Sequence, residues 1–367
     1  MDLFDFLPVE EQAKYKAQTS TDWKWTMAND YPEPNGLKVF SCFACGGGST
    51  MGYKLAGCEV LGCVEIDPRM NECYVANHHP KYNYLMDIRK FNETPNEELP
   101  EELFNLDILD GSPPCTTFSM AGDREDSWGK KKKFREGQAE QTLDDLSFVF
   151  IDTVAKLRPK VMIMENVEGL IKGEAWSYVQ RIYKHLNDIG YKVKHWWLKG
   201  ENMGVPQTRH RVFFIALRND IEYNLDNIDM VFNYEPVRLK DIDPTPQEKQ
   251  CKLSEIAKLS LPSENSLRDT MKRLYGRNAY FSEVIVYEDR VAKTLTAGGS
   301  ELWVRNTGKC LGNSDFIKMS TFPQDYDFRG ENIRYICGMS VPPVMIKRIV
   351  TRLLETNIFC KENKKHD

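Results

Sequence analysis

The segment Ile108–Ser119, with the sequence ILDGSPPCTTFS, decides how the chain is interpreted, because an apolar run ends here in a small-residue turn. Pro113 and Pro114 fix φ and remove two N–H donors, so the turn is neither helical nor part of a central strand. The stiff backbone then presents a thiol, Cys115, at the carboxyl end of a predicted strand. This is the edge at which open α/β sheets bind their ligands. When the Pro-Cys pair is considered without the rest of the chain, the alternative interpretation is a buried structural cysteine.

The length, composition and net charge of the chain limit the classes of protein to which it can belong. The chain has 367 residues, enough for one large domain or two modest ones. It contains no apolar run of the roughly 18 residues needed to span a bilayer, and its acidic start does not resemble a signal peptide. We therefore expect a cytoplasmic protein without a membrane partner, whose 10 cysteines are reduced. The formal net charge of −5 argues against a wholly basic nucleic-acid binder but allows a local basic cleft.

A strand, a glycine turn and a helix are predicted upstream. Residues 37–43 form the strand, and the turn and helix follow over 44–57. Glycines let the backbone approach a ligand closely, and a helix N-terminus offers free N–H groups. The next strand, 58–66, ends in Glu65, which is about 20 residues beyond the turn and suitably placed to bond ribose hydroxyls. The spacing matches neither Gly-x-Gly-x-x-Gly nor a P-loop, so a simple tight turn stays an alternative.

Further strands and helices alternate along the chain. Strands are predicted over 82–86, 107–110, 161–170 and 191–199, a loop enters a further strand within 204–217, and helices are predicted over 143–157 and 176–189. This alternation predicts a parallel, doubly wound α/β sheet. Glu165 ends its strand as Cys115 ends its own, although a salt-bridged structural glutamate is also consistent with the pattern. Arg209 and Arg211 enter the last of these strands at alternate positions, so they should point to one side.

Four cysteines suggest a competing interpretation as a zinc site. Cys42, Cys45, Cys58 and Cys63 have ribbon-like spacing. However, they fall in two strands and a glycine turn, where alternation would not bring four thiolates together. The sequence therefore predicts no metal site.

Two basic segments stand out. A polar loop after Cys115 carries four consecutive lysines, Lys130, Lys131, Lys132 and Lys133, which form either a solvated face or a phosphate clamp. Beyond residue 219 turn formers abound and no long periodic helix is clear, so we place a domain boundary there. This region holds a cluster of basic and aromatic residues: Arg268, Lys272, Arg273, Tyr275 and Arg277. The alternative to a functional role for this cluster is a basic surface helix.

Taken in order, the motifs over about residues 37–355 resemble the DNA (cytosine-5)-methyltransferase family of bacteria and phages. The resemblance rests on six segments: 43–52, 113–119, 165–167, 207–211, 294–299 and 338–343. It implies a Rossmann-like, doubly wound methyltransferase domain over 1–218 and a smaller, mainly irregular and β target-recognition domain over 219–330. The C-terminal helix within 331–367 is then expected to return to the catalytic domain.

The resemblance also implies an activity, the transfer of a methyl group from S-adenosyl-L-methionine to C5 of cytosine. Cys115 is expected to add to C6, Glu165 to bond N3 and the amino group, and Arg211 to hold O2, with Arg209 grouped beside them. The expected cofactor-binding residues are Phe43, Gly46, Gly47, Gly48, Glu65, Ile66, Asp87, Pro114, Ser340 and Val341. Two departures from the family pattern are Cys45, where the family has glycine, and Met339, where it has asparagine.

The expected partner is double-stranded DNA, from which the target cytosine is flipped out. Lys130–Lys133 would contact phosphates, and Arg268, Lys272, Arg273 and Arg277 would contact the target sequence. We expect a monomer in the cytoplasm, associated with the nucleoid, and a separately acting restriction endonuclease is a candidate partner. A tRNA cytosine-5 methyltransferase and a catalytically silent DNA-binding regulator are the alternatives. Residues 116–119 favour the DNA enzymes, and the intact Cys115, Glu165 and Arg211 argue against a silent regulator.

Overall fold

The computed structural model describes residues 18–114, 145–279, 283–298 and 301–359. Cys115 and the four lysines Lys130–Lys133 lie outside these ranges, so their predicted roles remain predictions.

A seven-stranded sheet forms the centre of the larger part of the molecule. Five strands run parallel in the order β3-β2-β1-β4-β5, and β7 and β6 complete the sheet beyond β5. β7 is antiparallel to both of its neighbours, because β6 and β7 are joined by only ten residues and a parallel crossover needs a dozen or more. The strands are β1 (Lys38–Cys42), β2 (Glu59–Glu65), β3 (Tyr82–Leu85), β4 (Ile108–Gly111), β5 (Val161–Val167), β6 (Tyr191–Lys199) and β7 (His210–Arg218).

Helices cover both faces of this sheet, which confirms the predicted doubly wound fold class. On one face the buried side chains of α3 (Ile88–Glu93), α4 (Leu146–Leu157) and α5 (Trp176–Asp188) pack against the strands. On the other face lie α1 (Gly48–Leu55) and the last helix of the described chain, α10 (Pro343–Leu354). None of the helices in the described ranges is both long and apolar enough to cross a membrane.

The helix α10 lies very close to α1, and a glycine makes this approach possible. A Cβ on Gly52 would be 2.5 Å from the Ile346 Cβ and 2.5 Å from the Pro343 carbonyl oxygen. The chain therefore returns from its C-terminal part to the helix that follows β1. This contact brings the segment before α10 close to the glycine turn.

A second, four-stranded sheet occupies the later part of the chain, in the order β8-β11-β10-β9. Its core is the fully buried Trp303, whose indole N–H donates to Glu283 at 2.8 Å. Two short helices that periodicity did not reveal pack beside it, α6 (Lys252–Lys258) and α7 (Leu267–Tyr275). The strands are β8 (Gln247–Glu248), β9 (Val284–Val286), β10 (Leu302–Val304) and β11 (Lys309–Cys310), and the remaining helices are α2 (Pro68–His78), α8 (Asn313–Met319) and α9 (Ile333–Met339).

The pairing of β2 with β3 depends on Gly62, because a Cβ there would lie 1.7 Å from the Tyr82 carbonyl oxygen. We predict that Gly62→Ala lowers the free energy of unfolding by at least about 3 kcal/mol, since backbone rather than a flexible side chain must move. Urea unfolding measures this loss. Gly298→Ala is the matched control, because a Cβ there meets nothing within 4 Å. Equal stability of the two variants would contradict the prediction.

Candidate functional site

The site lies where the strand order reverses, between β1 and β4. These strands are parallel neighbours, and Cys42 at the end of β1 is paired with Gly111 at the end of β4. The glycine turn that follows β1 and the Ser-Pro-Pro turn that follows β4 therefore leave the sheet side by side. Open α/β sheets bind ligands in this kind of crevice, outside the carboxyl ends of the strands.

Glu65 ties the glycine turn to the end of β2. Its buried carboxylate accepts hydrogen bonds from the backbone N–H groups of Cys45 at 2.7 Å, Ile66 at 2.9 Å and Asp67 at 2.8 Å. Burial raises the pKa of Glu65, and the backbone donors act against that rise. A carboxylate offers about four lone-pair sites, so the three backbone bonds leave capacity for a hydroxyl donor.

The three glycines of the turn are required by the protein's own packing. A Cβ on Gly48 would lie 2.3 Å from the Val341 carbonyl oxygen, and one on Gly47 would lie 2.0 Å from Nε2 of His78. Cys45, where the resembled family has glycine, still has a left-handed φ of 48°. A left-handed residue with a side chain costs roughly 1–2 kcal/mol, so the turn adopts this conformation at an energetic penalty.

The other predicted cofactor residues lie around this turn. Asp87 caps α3 by accepting from the Arg89 N–H at 2.9 Å, and its side chain is partly exposed. Ile66 is half-buried, whereas Ser340 and Val341 are buried beside the glycines. Phe43, with a φ of 57°, packs edge-on against Phe150 of α4. Pro114 is half-buried at the last described position before Cys115.

Glu165 and Arg211 form an ion pair at the same edge of the sheet. Nε of Arg211 lies 2.7 Å from Oε1 of Glu165, and the two side chains are only 16% and 11% exposed. The β5–β7 register, with Glu165 opposite Phe213 and Val167 opposite Arg211, places both residues on one face. The pair is thus preformed and largely shielded from water. It can offer carboxylate and guanidinium groups to a planar polar ligand.

Asn166 connects this pair to the Ser-Pro-Pro turn. Its side-chain amide donates to the Pro113 carbonyl oxygen at 3.4 Å, and its oxygen accepts from the Val167 N–H at 2.8 Å. The turn that leads into Cys115 is therefore fixed relative to the neighbouring strand that carries Glu165.

Arg209 has a different environment from Arg211. It is almost completely buried and donates to the carbonyl oxygens of Leu295 at 3.3 Å and Gly338 at 3.0 Å. Burial, and then the charge of Arg211, lower the pKa of Arg209 to about 9. The described contacts of Arg209 are thus with protein carbonyls, although the sequence grouped it with the catalytic residues. We propose that it positions the site instead of contacting the base.

Gln207, like Arg209, forms hydrogen bonds with backbone groups of distant segments. This fully buried side chain donates to the Met319 carbonyl oxygen at 2.8 Å and accepts from the Leu295 N–H at 3.0 Å. The Gln-x-Arg-x-Arg motif therefore holds the segments around residues 295, 319 and 338 against β7 with its first two side chains. Only its third side chain reaches Glu165.

Asp110 is a site residue that the sequence analysis did not single out. It is buried on β4 and accepts from the Ser41 hydroxyl at 2.7 Å and the Tyr53 hydroxyl at 3.0 Å. Burial raises the pKa of Asp110 to about 7, partly offset by these hydroxyls, and the charge of Glu165 raises it further. The signal in the sequence that could have identified Asp110 is an acid inside an otherwise apolar strand.

The basic cluster in and just after α7 is exposed, but its arginines have different partners. Arg273 is held by the carboxylate of Glu264 at 2.6 Å and donates to the Leu259 carbonyl oxygen at 2.7 Å. Tyr275, in contrast, is 60% exposed. Arg268, Lys272 and Arg277 are also exposed, and Nε of Arg268 donates to Asn278 at 3.2 Å.

The four cysteines considered for zinc lie in different environments. Cys42 is part of the core on the α4 side, Cys58 belongs to the core beneath α10, and Cys63 packs against Tyr74. Burial raises the pKa of the Cys45 and Cys58 thiols to about 12, so thiolates are disfavoured there. Within the described ranges, no three His, Cys, Asp or Glu side chains are placed to hold a metal ion.

The fold is a Rossmann-like α/β domain whose glycine turn and Glu165–Arg211 pair lie at the same edge of the large sheet. The family model for C-5 cytosine-specific DNA methylase matches residues 37–355. The chain therefore belongs to this family, as the sequence motifs predicted.

Individual relatives are consistent with this assignment. Type II methyltransferase M.NgoPII of Neisseria gonorrhoeae is 30% identical over 223 residues, which cover 59% of each chain. Type II methyltransferase M.Sau96I of Staphylococcus aureus is 29% identical over 318 residues, or 80% of this chain and 69% of that enzyme. Several alignments, including the first of these, thus span less than two thirds of the relative. A crystal structure of Spodoptera frugiperda DNMT2 shares the fold, with a TM-score of 0.60, 16% identity and coverage of 87% and 100% of the two chains.

We predict that the stability cost of Asp110→Asn depends on pH. The folded state holds the Asp110 proton up to about pH 7, whereas an unfolded aspartate loses it near its ordinary value of 3.8. The stability contributed by this proton therefore falls as pH rises between those values, by up to about 1.4 kcal/mol per pH unit. Asparagine has no such dependence. The difference in unfolding free energy, variant minus wild type, should therefore rise from about pH 5 to about pH 8 in parallel urea titrations. A constant difference would refute the pKa shift.

Proposed function

We propose that this protein transfers a methyl group from S-adenosyl-L-methionine to C5 of a flipped-out cytosine in duplex DNA, through a covalent intermediate on Cys115. The observation that carries the proposal is the shielded Glu165–Arg211 ion pair beside the turn that leads into Cys115. A carboxyl group and a guanidinium on one side of a pocket complement the N3, amino and O2 edge of cytosine. Family membership supports the same reaction.

The residues at the ends of β1, β2 and β3 fit the proposed cofactor. Glu65 has capacity to accept from ribose hydroxyls, Ile66 offers partly exposed apolar surface to adenine, and Asp87 keeps a partly exposed carboxylate for the adenine amino group. Phe43, Gly46–Gly48, Pro114, Ser340 and Val341 would enclose the methionine end. When bound, S-adenosyl-L-methionine supplies an electrophilic methyl group on a sulfonium.

The protein's contribution is to make C5 nucleophilic. The Cys115 thiolate adds to C6 and forms an S–C6 bond, while the C5–C6 π electrons become available at C5 as an enamine. Glu165, as a carboxylic acid, donates to N3 and accepts from the exocyclic amino group, so it stabilises the charge that develops on the ring. Arg211 is placed beside Glu165 to hold O2. Once C5 carries the methyl group, loss of its proton to water breaks the S–C6 bond, releases the Cys115 thiolate and restores the aromatic ring.

In this proposal residues 1–218 form the catalytic domain, 219–330 recognise the target and the C-terminal segment 331–367 closes the catalytic domain. The packing of α10 on α1 supports the last assignment. Lys130–Lys133 would contact phosphates of the DNA, whose backbone attracts clustered lysines. The Type II names of the relatives support a separately acting restriction endonuclease as a partner.

We predict that the purified protein incorporates label from S-adenosyl-L-methionine into mixed-sequence duplex DNA as 5-methylcytosine, and that Cys115→Ser abolishes turnover. The hydroxyl of serine is a much weaker nucleophile than a thiolate at neutral pH, so the addition to C6 fails. The measurement is nucleoside analysis of the digested DNA, with tRNA as a parallel substrate.

Cys251→Ser is the matched control, because Cys251 is an exposed thiol at the start of α6. It should retain the wild-type rate. Label in tRNA but not in DNA would favour the RNA alternative, and DNA binding without any methylation would favour a silent regulator.

Because the arginines in and just after α7 have different partners, we predict that their substitution by alanine has different effects. Arg268→Ala and Arg277→Ala should relax or weaken methylation at individual base positions, because arginine reads guanine bidentately at about 1–3 kcal/mol per contact. Arg273→Ala should lower thermal stability and leave the methylated sequence unchanged, since its guanidinium holds Glu264 within the small domain. Bisulfite sequencing of randomised DNA and thermal melts separate these effects. Altered specificity in Arg273→Ala alone would reverse the assignment.

A further inference from the structure

Two aromatic side chains hold the glycine turn that precedes α1 from the protein side. The carbonyl oxygen of Gly46 accepts a hydrogen bond from the Tyr326 hydroxyl at 2.7 Å, and Nε2 of His78 lies 3.5 Å from the same oxygen. Tyr326 is only 5% exposed and His78 only 6%. Both contacts are therefore shielded from water, where a hydrogen bond is electrostatically stronger than at the surface.

The surroundings of the His78 ring indicate which of its nitrogens carries the hydrogen. Among the described residues the buried Nδ1 has no hydrogen-bond partner. A hydrogen on Nδ1 would leave that donor unpaired and would turn the lone pair of Nε2 towards the Gly46 oxygen. A hydrogen on Nε2 points to that oxygen instead. Burial, and then the charge of Lys54, lower the pKa of His78 to about 3, so the ring is neutral near neutral pH.

The turn depends on support from outside, because its own backbone does not secure its shape. Cys45 has a left-handed φ of 48°, and a strained residue keeps its conformation only when the surrounding structure holds it. Gly47 occupies the N-cap position of α1 and forms no side-chain cap with the first N–H groups of the helix. As long as the turn keeps its shape, those N–H groups are directed at a site that suits an anion.

We infer that Tyr326 and His78 are positioning residues of the cofactor site: they hold the Gly46 carbonyl so that the turn presents the N-terminus of α1 to the carboxylate of the methionine end. This inference rests on the proposed function, in which the same turn encloses that end of S-adenosyl-L-methionine. Both side chains act through the backbone of the turn and not by contact with the cofactor. When a donor is removed, the turn is free to adopt other shapes, and binding must restore the original one at a cost in apparent affinity.

Tyr326 reaches the turn from a part of the chain that is distant in sequence. It lies between α8 and α9, and its ring centroid is 5.1 Å from that of Phe322 and 4.6 Å from that of Phe328. These rings belong to the same core as Met51 of α1, so the position of the hydroxyl is fixed by packing. The end of the range 219–330, which we assign to target recognition, thus also serves the cofactor site.

The test is a calorimetric titration of the full chain with S-adenosyl-L-homocysteine, the demethylated product, in the absence of DNA. We expect Tyr326→Phe to raise the Kd by about fivefold, the order of effect of one hydrogen bond. In methylation assays the KM for S-adenosyl-L-methionine should rise by a similar factor. The kcat and the KM for DNA should stay within about twofold, because the variant loses cofactor binding and no contact with the base.

Tyr191→Phe is the matched control. Tyr191 is fully buried, and its hydroxyl donates to the Pro159 carbonyl oxygen at 2.6 Å, at the opposite edge of the large sheet from the site. Both substitutions remove one buried hydrogen bond from a tyrosine to a carbonyl, so both should lower the thermal stability of the cofactor-free protein. Only Tyr326→Phe should weaken binding, whereas a purely structural role of Tyr326 predicts an unchanged Kd in both variants.

Two substitutions of His78 provide an independent test of the second donor. His78→Gln keeps an N–H donor on a side chain of similar reach, whereas His78→Leu removes the donor. We expect the leucine variant to bind S-adenosyl-L-homocysteine at least about twofold more weakly than the glutamine variant. Thermal melts of the cofactor-free variants show whether each is folded at the temperature of the titration.

The outcomes separate the two proposals. Wild-type protein that neither binds S-adenosyl-L-homocysteine nor makes 5-methylcytosine overturns the proposed function and this inference with it. Wild-type protein that binds it, together with Tyr326→Phe and His78→Leu variants whose Kd stays within about twofold of the wild-type value, overturns the inference alone. A raised Kd in these two variants, but not in Tyr191→Phe, supports the inference.

Discussion

Charged groups buried at the carboxyl edge of the large sheet need partners, and meeting that need organises the site. A buried charge without a partner is strongly destabilising, so each one constrains the segments that supply its hydrogen bonds. Glu65 is paired with three backbone N–H groups, Glu165 with a guanidinium and Arg209 with two carbonyl oxygens. The partners come from turns and helices that are far apart in sequence. The contacts that hold the sheet edge together are therefore also the contacts that position the site.

Three carboxyl groups that look alike in the sequence differ in their hydrogen-bond and ionic partners. Backbone donors orient Glu65 and keep it available as an acceptor, which suits a ribose. Arg211 holds Glu165 in an ion pair that is largely shielded from water. Asp110 has only hydroxyl donors in the described structure, and burial raises its pKa to about 7. Environment, more than residue type, assigns each acid its role.

Much of the large domain could be predicted from the sequence, because buried strands and amphipathic helices leave strong local patterns. The strand expected at 191–199 and the helix expected to begin at Trp176 match the structure closely. Glu165 and Arg211 were recognisable because each sits at a strand end within a motif. Arg209 was assigned by motif alone, and its carbonyl partners at Leu295 and Gly338 could not be foreseen because they come from distant loops.

The smaller sheet was harder to predict for a physical reason. Its strands have two or three residues, and α6 has seven, so none of them spans enough residues to show a clear period. Its stability comes from long-range packing around Trp303. The environment of Asp110 could not be predicted for a related reason, since its hydroxyl partners lie in β1 and α1, well before it in the chain.

The two ends of the segment that contains α6 and α7 are joined by backbone hydrogen bonds between residues 239–240 and 288–290, which we call the neck. The N–H of Leu239 donates to the Arg290 carbonyl at 2.8 Å, and the N–H of Lys240 donates to the Glu288 carbonyl at 2.9 Å. The residues between these ends pack around Trp303 and Cys310, which follow the neck in the chain. Once a neck is closed, doubling the length of the loop costs only about 0.6 kcal/mol more in entropy. A change in the length of this excursion is therefore expected to cost little entropy and to leave the geometry of the large sheet unchanged.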